Sequence, residues 1–315
     1  MFDYLKALRD NRRERMGLLL AAPVVLFLTL FFLIPTAMLF VFSFWQSEAF
    51  KLIPDATLVN YQAALARSAT RQTLLTGVNI GFWTAAVSTA LSYPVAWYIA
   101  FRSRSNVLLY VVLLSWFSSY LVRIYAWRTI LGTNGLINSA LISFGIISQP
   151  LDILIFSPLA VMITLIHIFV PFTLLLLLSA LRNITPEFLE AARDLGASKS
   201  NVFFHVTLPM AYKGFVGSFM FTFILAAGDF ITPQLMGGRT GITLGLLISN
   251  QFRQTGNWPS GAAMAFILMA VFLFVYFLLV RSMRLLKFAP GVRRHPPADV
   301  MRLELGLPAP ARKEG

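Results

Sequence analysis

Three observations predict an all-α membrane protein crossing the bilayer about six times. The chain is 57% hydrophobic and 12% charged, well outside the composition of a soluble globular domain. Six apolar stretches approach or exceed the roughly 20 residues a helix needs to cross about 30 Å of hydrocarbon. Basic residues, finally, fall unevenly on the two sides of those stretches.

A basic segment, residues 1–16, carries Lys6, Arg9, Arg12, Arg13 and Arg15 ahead of an apolar run from Gly17 to about Phe42. That run is longer than a signal-peptide core and has no small-residue cleavage site, so it reads as an uncleaved first span entering from the cytoplasm. The remaining spans are expected near Thr73–Phe101, Val107–Leu131, Ser157–Leu181, Gly214–Gly228 with a few flanking residues, and Gly261–Leu286. Together they define a membrane domain over residues 17–286. Between them lie outer loops at 43–72, with a short helix near Asn60-Tyr61-Gln62, at 132–156, and at 229–260, which is rich in glycine and polar groups. Gly77 and Gly81 have a spacing that suits close helix packing. Pro94 and Pro171 fall inside spans, where a missing N–H kinks a helix, as a hinge or as static shape. The tail, residues 287–315, is Pro-rich and charged and is expected to be disordered.

Orientation follows from the charges. Nineteen of the 26 basic residues fall on the side of the termini and the central loop, against seven on the other. Both termini and the central loop are therefore expected in the cytoplasm. On this reading the net charge of +13 is topological, and no nucleic-acid partner is expected. The chain has no cysteine, so it offers neither disulfides nor a thiol nucleophile.

The central loop, residues 185–213, is the longest polar interruption between two apolar runs. Thr185 suits an N-cap, Pro186 the first helical position, and Glu187 and Glu190 the first turns, where the helix dipole favours negative charge. A short helix is expected from Pro186 to Leu195, ended by Gly196 in a left-handed conformation, followed by a second short helix capped by Ser198 and stopped at Pro209. Ala191, Ala192, Gly196 and Ala197 allow close approach, Phe188, Leu189 and Leu195 offer apolar knobs, and Arg193 and Asp194 offer rim charges. Those are the ingredients of a docking surface, although a solvated connector would also fit.

The spacing of Glu190, Ala191, Ala192, Gly196, Val206, Leu208 and Pro209 resembles the EAA loop of ABC importer permeases, with Val206 where the family more often has Ile. Two further stretches, Ser119–Leu131 and Gly228–Gly238, resemble the spermidine/putrescine (PotB-like) branch of that family, and the likeness extends from the first span to about Leu286. The resemblance implies a type I ABC importer permease fold in the bacterial inner membrane, with Glu190, Ala191, Ala192, Asp194, Gly196, Leu208 and Pro209 coupling it to an ATPase. It also implies partners: a second homologous permease, two ATP-binding-cassette subunits that hold ATP and Mg²⁺, and an extracytoplasmic binding protein. The chain itself is expected to be no enzyme and to carry no cofactor or metal. Gly196-Ala197-Ser198-Lys199-Ser200 lacks the leading glycine of a phosphate loop, and no hydrolase or dinucleotide motif is present.

Four residues are candidates for a solute path. Asp229 lies about 20 Å along a helix entering at Gly214, where a carboxylate either faces a cavity and attracts an ammonium group or caps the break before Pro233. Tyr120, Tyr125 and Trp127 could line a cation path or form an interfacial belt. Arg123 and Arg128, about 24 Å and 31 Å along the third span, would repel a polycation and suit snorkelling, packing against outer loops or pairing with the binding protein. The implied solute is a polyamine. Alternatives are an opine, an amino-acid-like or a sugar-like solute, a self-contained channel, or a membrane-embedded enzyme, for which His167 and Asp229 are the only titratable candidates within the spans.

Overall fold

A computed structural model describes residues 12–48, 51–286 and 288. The basic segment 1–11 and nearly all of the tail, 287–315, lie outside the described residues. Five helices are long and apolar enough to cross a membrane: Leu19–Phe42, Ser68–Phe101, Pro158–Leu181, Lys199–Gly228 and Trp258–Leu285. A bent pair, Val107–Trp116 with Tyr120–Ser143, makes a sixth if counted as one span.

Three spans differ from the expected ones for identifiable reasons. The third breaks at Phe117-Ser118-Ser119 and turns by 88°, so the distances of Arg123 and Arg128 measured along a straight helix from Val107 do not hold. Ser115 and Ser118 hydroxyls donate to the carbonyls three residues back, supporting local bonding around that break. The second span begins earlier, at Ser68, because polar Thr70, Arg71 and Gln72 are ordinary helix residues that hydropathy alone discards. The fifth span, the shortest by hydropathy, is the C-terminal part of a 30-residue helix that starts at Lys199 and passes through Pro209.

That passage depends on a wider turn. Residues Phe203–Thr207 are π-helical, and Leu208 N–H donates to the Phe203 carbonyl five residues back. A proline's ring collides with the carbonyl four residues earlier, and the i→i+5 turn removes that conflict. The first helix repeats the device, with Thr29–Leu33 π-helical ahead of Pro35 and Ile34 N–H donating to the Thr29 carbonyl. Pro94 and Pro171 instead sit inside continuous helices, and Ser92 Oγ donates to the Val170 carbonyl at 3.2 Å, between the two.

Cα neighbours divide the chain into two compact units. One comprises Met1–Ile80, Arg128–Val161 and Ala227–Val271. In it the first helix ends at Ser43, whose hydroxyl pairs with Tyr61 at 2.7 Å, while Asn60 bonds the Ser43 and Trp45 carbonyls. Tyr61 belongs to Val59–Ala66, the short helix expected there, and an antiparallel pair, Gln46–Glu48 with Lys51–Ile53, precedes it. Two short helices, Ile231–Met236 and Leu244–Asn250, occupy the stretch read as a third outer loop. The backbone at Gly77 passes close to this region, since a Cβ there would lie 3.3 Å from the Ala227 carbonyl.

The second unit comprises Gly81–Trp127, Met162–Ala226 and Phe272–Gly315. Its core gathers Ala96 and Ile99, Leu174, Leu177, Leu178 and Leu181, and Leu208, Ala211 and Phe215. Helices Pro158–Leu181 and Leu208–Gly228 touch at Gly214, where any Cβ would collide with that of Ala180. About two turns further on, the Thr173 and Thr222 hydroxyls pair at 2.8 Å, a polar clasp between buried helix faces.

Candidate functional site

The central segment forms the helix expected of it, Pro186–Asp194. Thr185 has the extended backbone of an N-cap, but its side chain caps nothing; its carbonyl instead accepts from Phe188 N–H at 3.2 Å. Termination follows the glycine rule. Gly196 has φ +83, its N–H donates to the Arg193 carbonyl and Ala197 N–H to that of Ala192, closing the orphan carbonyls of the last turn. Ser198 Oγ then accepts from Asn201 N–H at 3.2 Å and opens the helix that runs on to Gly228. The second short helix expected to stop at Pro209 therefore does not stop.

This hook has an inward and an outward face. Ile184, Leu189, Val202 and Leu208 are buried in the core of the second unit, with Ala192, Ala197 and Val206 packed against it. Glu190, Ala191, Asp194 and Gly196 are exposed, together with Phe188 and Leu195, the latter 89% exposed. Leu189, grouped with Phe188 and Leu195 as an apolar knob, points inward instead. A nine-residue helix cannot turn Phe188, Leu189 and Leu195 to one side, because neighbours in sequence are about 100° apart. Leu208 and Pro209 likewise anchor: Leu208 is buried and Pro209 half-buried. The residues expected to couple thus separate into an exposed group, Glu190, Ala191, Asp194 and Gly196, and a rooted group, Ala192, Leu208 and Pro209. The outer face therefore presents Phe188 and Leu195, both exposed, beside small residues and carboxylates.

The solute-path candidates fall in two places. Asp229 follows the last residue of the fifth span, where Oδ1 accepts from Ile231 N–H at 3.2 Å and Oδ2 from Thr232 N–H at 3.0 Å. Its backbone carbonyl accepts from the Thr243 hydroxyl at 3.0 Å. The carboxylate therefore does the work of a cap at the break before Pro233, with lone pairs to spare. Tyr120, Tyr125 and Trp127 lie on the helix beyond the 88° turn. Tyr125 is exposed, and Trp127 meets the His167 ring edge-on at 5.8 Å.

The two arginines of this helix behave differently from snorkelling cations. Arg128 stands over the Phe156 ring, 5.7 Å from its centroid. Arg123 is 7% exposed, and its Nε and Nη1 have no hydrogen-bond partner. Position in sequence placed Arg123 in the right helix but could not signal its burial. His205 lies 3.2 Å from the Asn201 carbonyl, and among the described residues no cluster of His, Asp and Glu could hold a metal.

A family model described as "Binding-protein-dependent transport system inner membrane component" matches residues 14–284. The spermidine/putrescine transport system permease protein PotB of Escherichia coli (strain K12) is 31% identical over 268 residues, 84% of this chain and 96% of that one. The protein of the same name from Salmonella typhimurium (strain SL1344) matches at 31% over 84% and 92% of the two chains. Among solved structures, a bacterial ABC transporter involved in the import of the acidic polysaccharide alginate superposes with a TM-score of 0.65 at 15% identity, over 89% of this chain and 98% of that one. At that identity the likeness is one of fold.

Proposed function

This chain belongs to the family of binding-protein-dependent transport system inner membrane components, as a multi-pass permease of the ABC importer type in the bacterial inner membrane, and we propose that its solute is a polyamine such as spermidine or putrescine. What carries the substrate reading is identity of 31% with polyamine permeases across 84% of the chain. The exposed segment Glu190–Gly196 docks on an ATP-binding-cassette subunit in the cytoplasm, where both termini also lie. A second permease, two such ATPase subunits holding ATP and Mg²⁺, and an extracytoplasmic binding protein complete the importer.

The rooted geometry of the hook supports this coupling. Its inward side chains share one core with Leu174–Leu181 and Leu208–Phe215, so a push on residues 190–196 displaces membrane helices instead of flexing a tether. The docked state must favour one access state over the other through contacts that differ between them. Asp229, Tyr120, Tyr125 and Trp127 line the solute path, with the free lone pairs of Asp229 meeting an ammonium group.

Uptake of labelled spermidine and putrescine, measured in cells expressing the whole importer, tests the proposal. Gly196→Pro demands a φ near −65° where the backbone holds +83, and Ala191→Trp fills the docking face. Both are expected to leave the chain in the membrane and abolish ATP-dependent uptake. Wild-type uptake by either removes the coupling role, and wild-type uptake by Asp229→Asn removes that residue from the path.

One observation favours a different solute. The buried Arg123, with two donor groups lacking partners, suits a carboxylate-bearing opine or amino-acid-like molecule better than a polycation. Competition by unlabelled carboxylate solutes, relieved in Arg123→Gln, would move the assignment to that class.

A further inference from the structure

The cavity at the root of the hook shares Arg193 with the docking segment 190–196, and its other lining residues lie outside that segment. It has a volume of about 880 Å³, and its lining includes Tyr93, Pro94 and Trp97 from one helix and Val202 and Phe203 from another. The Tyr93 and Phe203 rings stand 4.8 Å apart and make an apolar floor. The exposed part of its lining is Arg102, Arg193 and Lys199 with Ser198 and Ser200, and no carboxylate lies among the lining residues. Three exposed cations and two hydroxyls over an aromatic and aliphatic floor is a composition for a ligand with a phosphate at one end and hydrocarbon at the other.

We infer that this cavity binds an anionic phospholipid of the cytoplasmic leaflet, its phosphate held by Arg102, Arg193 and Lys199 and one acyl chain laid on Pro94, Trp97, Val202 and Phe203. The placement suits a lipid. Trp97 and Arg102 lie at the end of a membrane-spanning helix, Ser68–Phe101, where an indole ring and a guanidinium meet the headgroup layer. The alternative occupant from this chain is the segment that follows Phe288, the residue whose own ring stacks on Phe204. That tail carries Arg293, Arg294, Arg302, Arg312 and Lys313 against Asp299, Glu304 and Glu314, so its charge has the wrong sign. The leaflet assignment rests on the cytoplasmic placement of the hook; binding itself does not.

The test uses the complete importer in nanodiscs and phospholipids brominated on the acyl chain, which quench a nearby indole. Brominated phosphatidylglycerol is expected to quench Trp97, identified as the component lost in Trp97→Phe, while brominated phosphatidylcholine leaves it bright. The double variant Arg102→Gln/Lys199→Gln should weaken the phosphatidylglycerol response by about fivefold for each charge removed. Should that variant fail to assemble, Arg102→Lys/Lys199→Arg preserves the charge and is expected to keep the response. Equal quenching by phosphatidylcholine overturns the proposal in favour of a plain apolar groove. Release of the quench by millimolar inorganic phosphate overturns it in favour of a free-anion site. Because the nanodisc presents lipid to both faces, a reversed topology would leave these outcomes unchanged while refuting the cytoplasmic hook.

Discussion

The first helix and the helix Pro158–Leu181 are each 24 residues long across the membrane and about equally apolar, yet their surroundings have little in common. None of the most apolar stretch of Leu19–Phe42 is buried within the chain, against 56% of the corresponding stretch of Pro158–Leu181. Near its end Phe40 meets Phe266 edge-on, but Phe27, Phe31 and Phe32 point outward. Hydropathy therefore reports that a segment leaves water, and says nothing of what it meets afterwards. In lipid the hydrophobic effect no longer discriminates between a neighbouring helix and an acyl chain, so burial is decided by close packing and small residues. Ala180 on the fourth span and Gly214 on the fifth supply that; the first has Gly17 near its start, with open space around it.

Substitutions that act on packing and leave hydropathy nearly unchanged would break or sharpen this contrast. The largest effect is expected of Gly214→Val, whose Cβ has no room beside Ala180. Little folded protein should reach the membrane, and Ala180→Gly in the same chain should recover part of it. If Gly214→Val accumulates normally, the helices do not pack as described. Next comes Leu177→Ala, which empties a fully buried site and is expected to cost about 2–5 kcal/mol in thermal or denaturant unfolding of the detergent-solubilised chain. The smallest effect is expected of Phe31→Ala, a larger truncation on a 70% exposed side chain, which should change the stability of the isolated chain by less than about 0.5 kcal/mol. A loss seen only in the assembled importer would assign that face to a partner chain; no loss in either would leave it to lipid.

Much of the architecture was legible from composition and local chemistry. The apolar runs marked where helices cross, and Pro186, Gly196 and Ser198 marked the hook because each answers a local backbone demand that no distant contact overrides. What escaped depends on relations between segments. Phe117-Ser118-Ser119 interrupts no hydropathy window, so an 88° turn there is invisible to a count of apolar residues. Pro209 reads as a stop unless the wider turn ahead of it is known. From sequence Asp229 suits two roles equally, because its acceptors can serve a ligand or the next helix, and the two N–H groups that donate to it come from backbone that sequence does not position. The cavity beside Trp97 combines the end of one helix with the start of another about a hundred residues later, and no motif spans that gap.

The five-residue swelling at Phe203–Thr207 has one more implication, for the tolerance of this chain to changes in length. Each residue added to or removed from a helix rotates everything after it by about 100°. The wide turn, however, spends one residue more than an ordinary turn on nearly the same rotation. A one-residue deletion there that restores ordinary winding would keep Gly214 facing Ala180, while the same deletion in the regular helix between Leu208 and Gly214 would swing Gly214 away. The stretch thus acts as a phase buffer between the hook and the membrane rod, absorbing one residue that the regular winding from Leu208 to Gly228 would not.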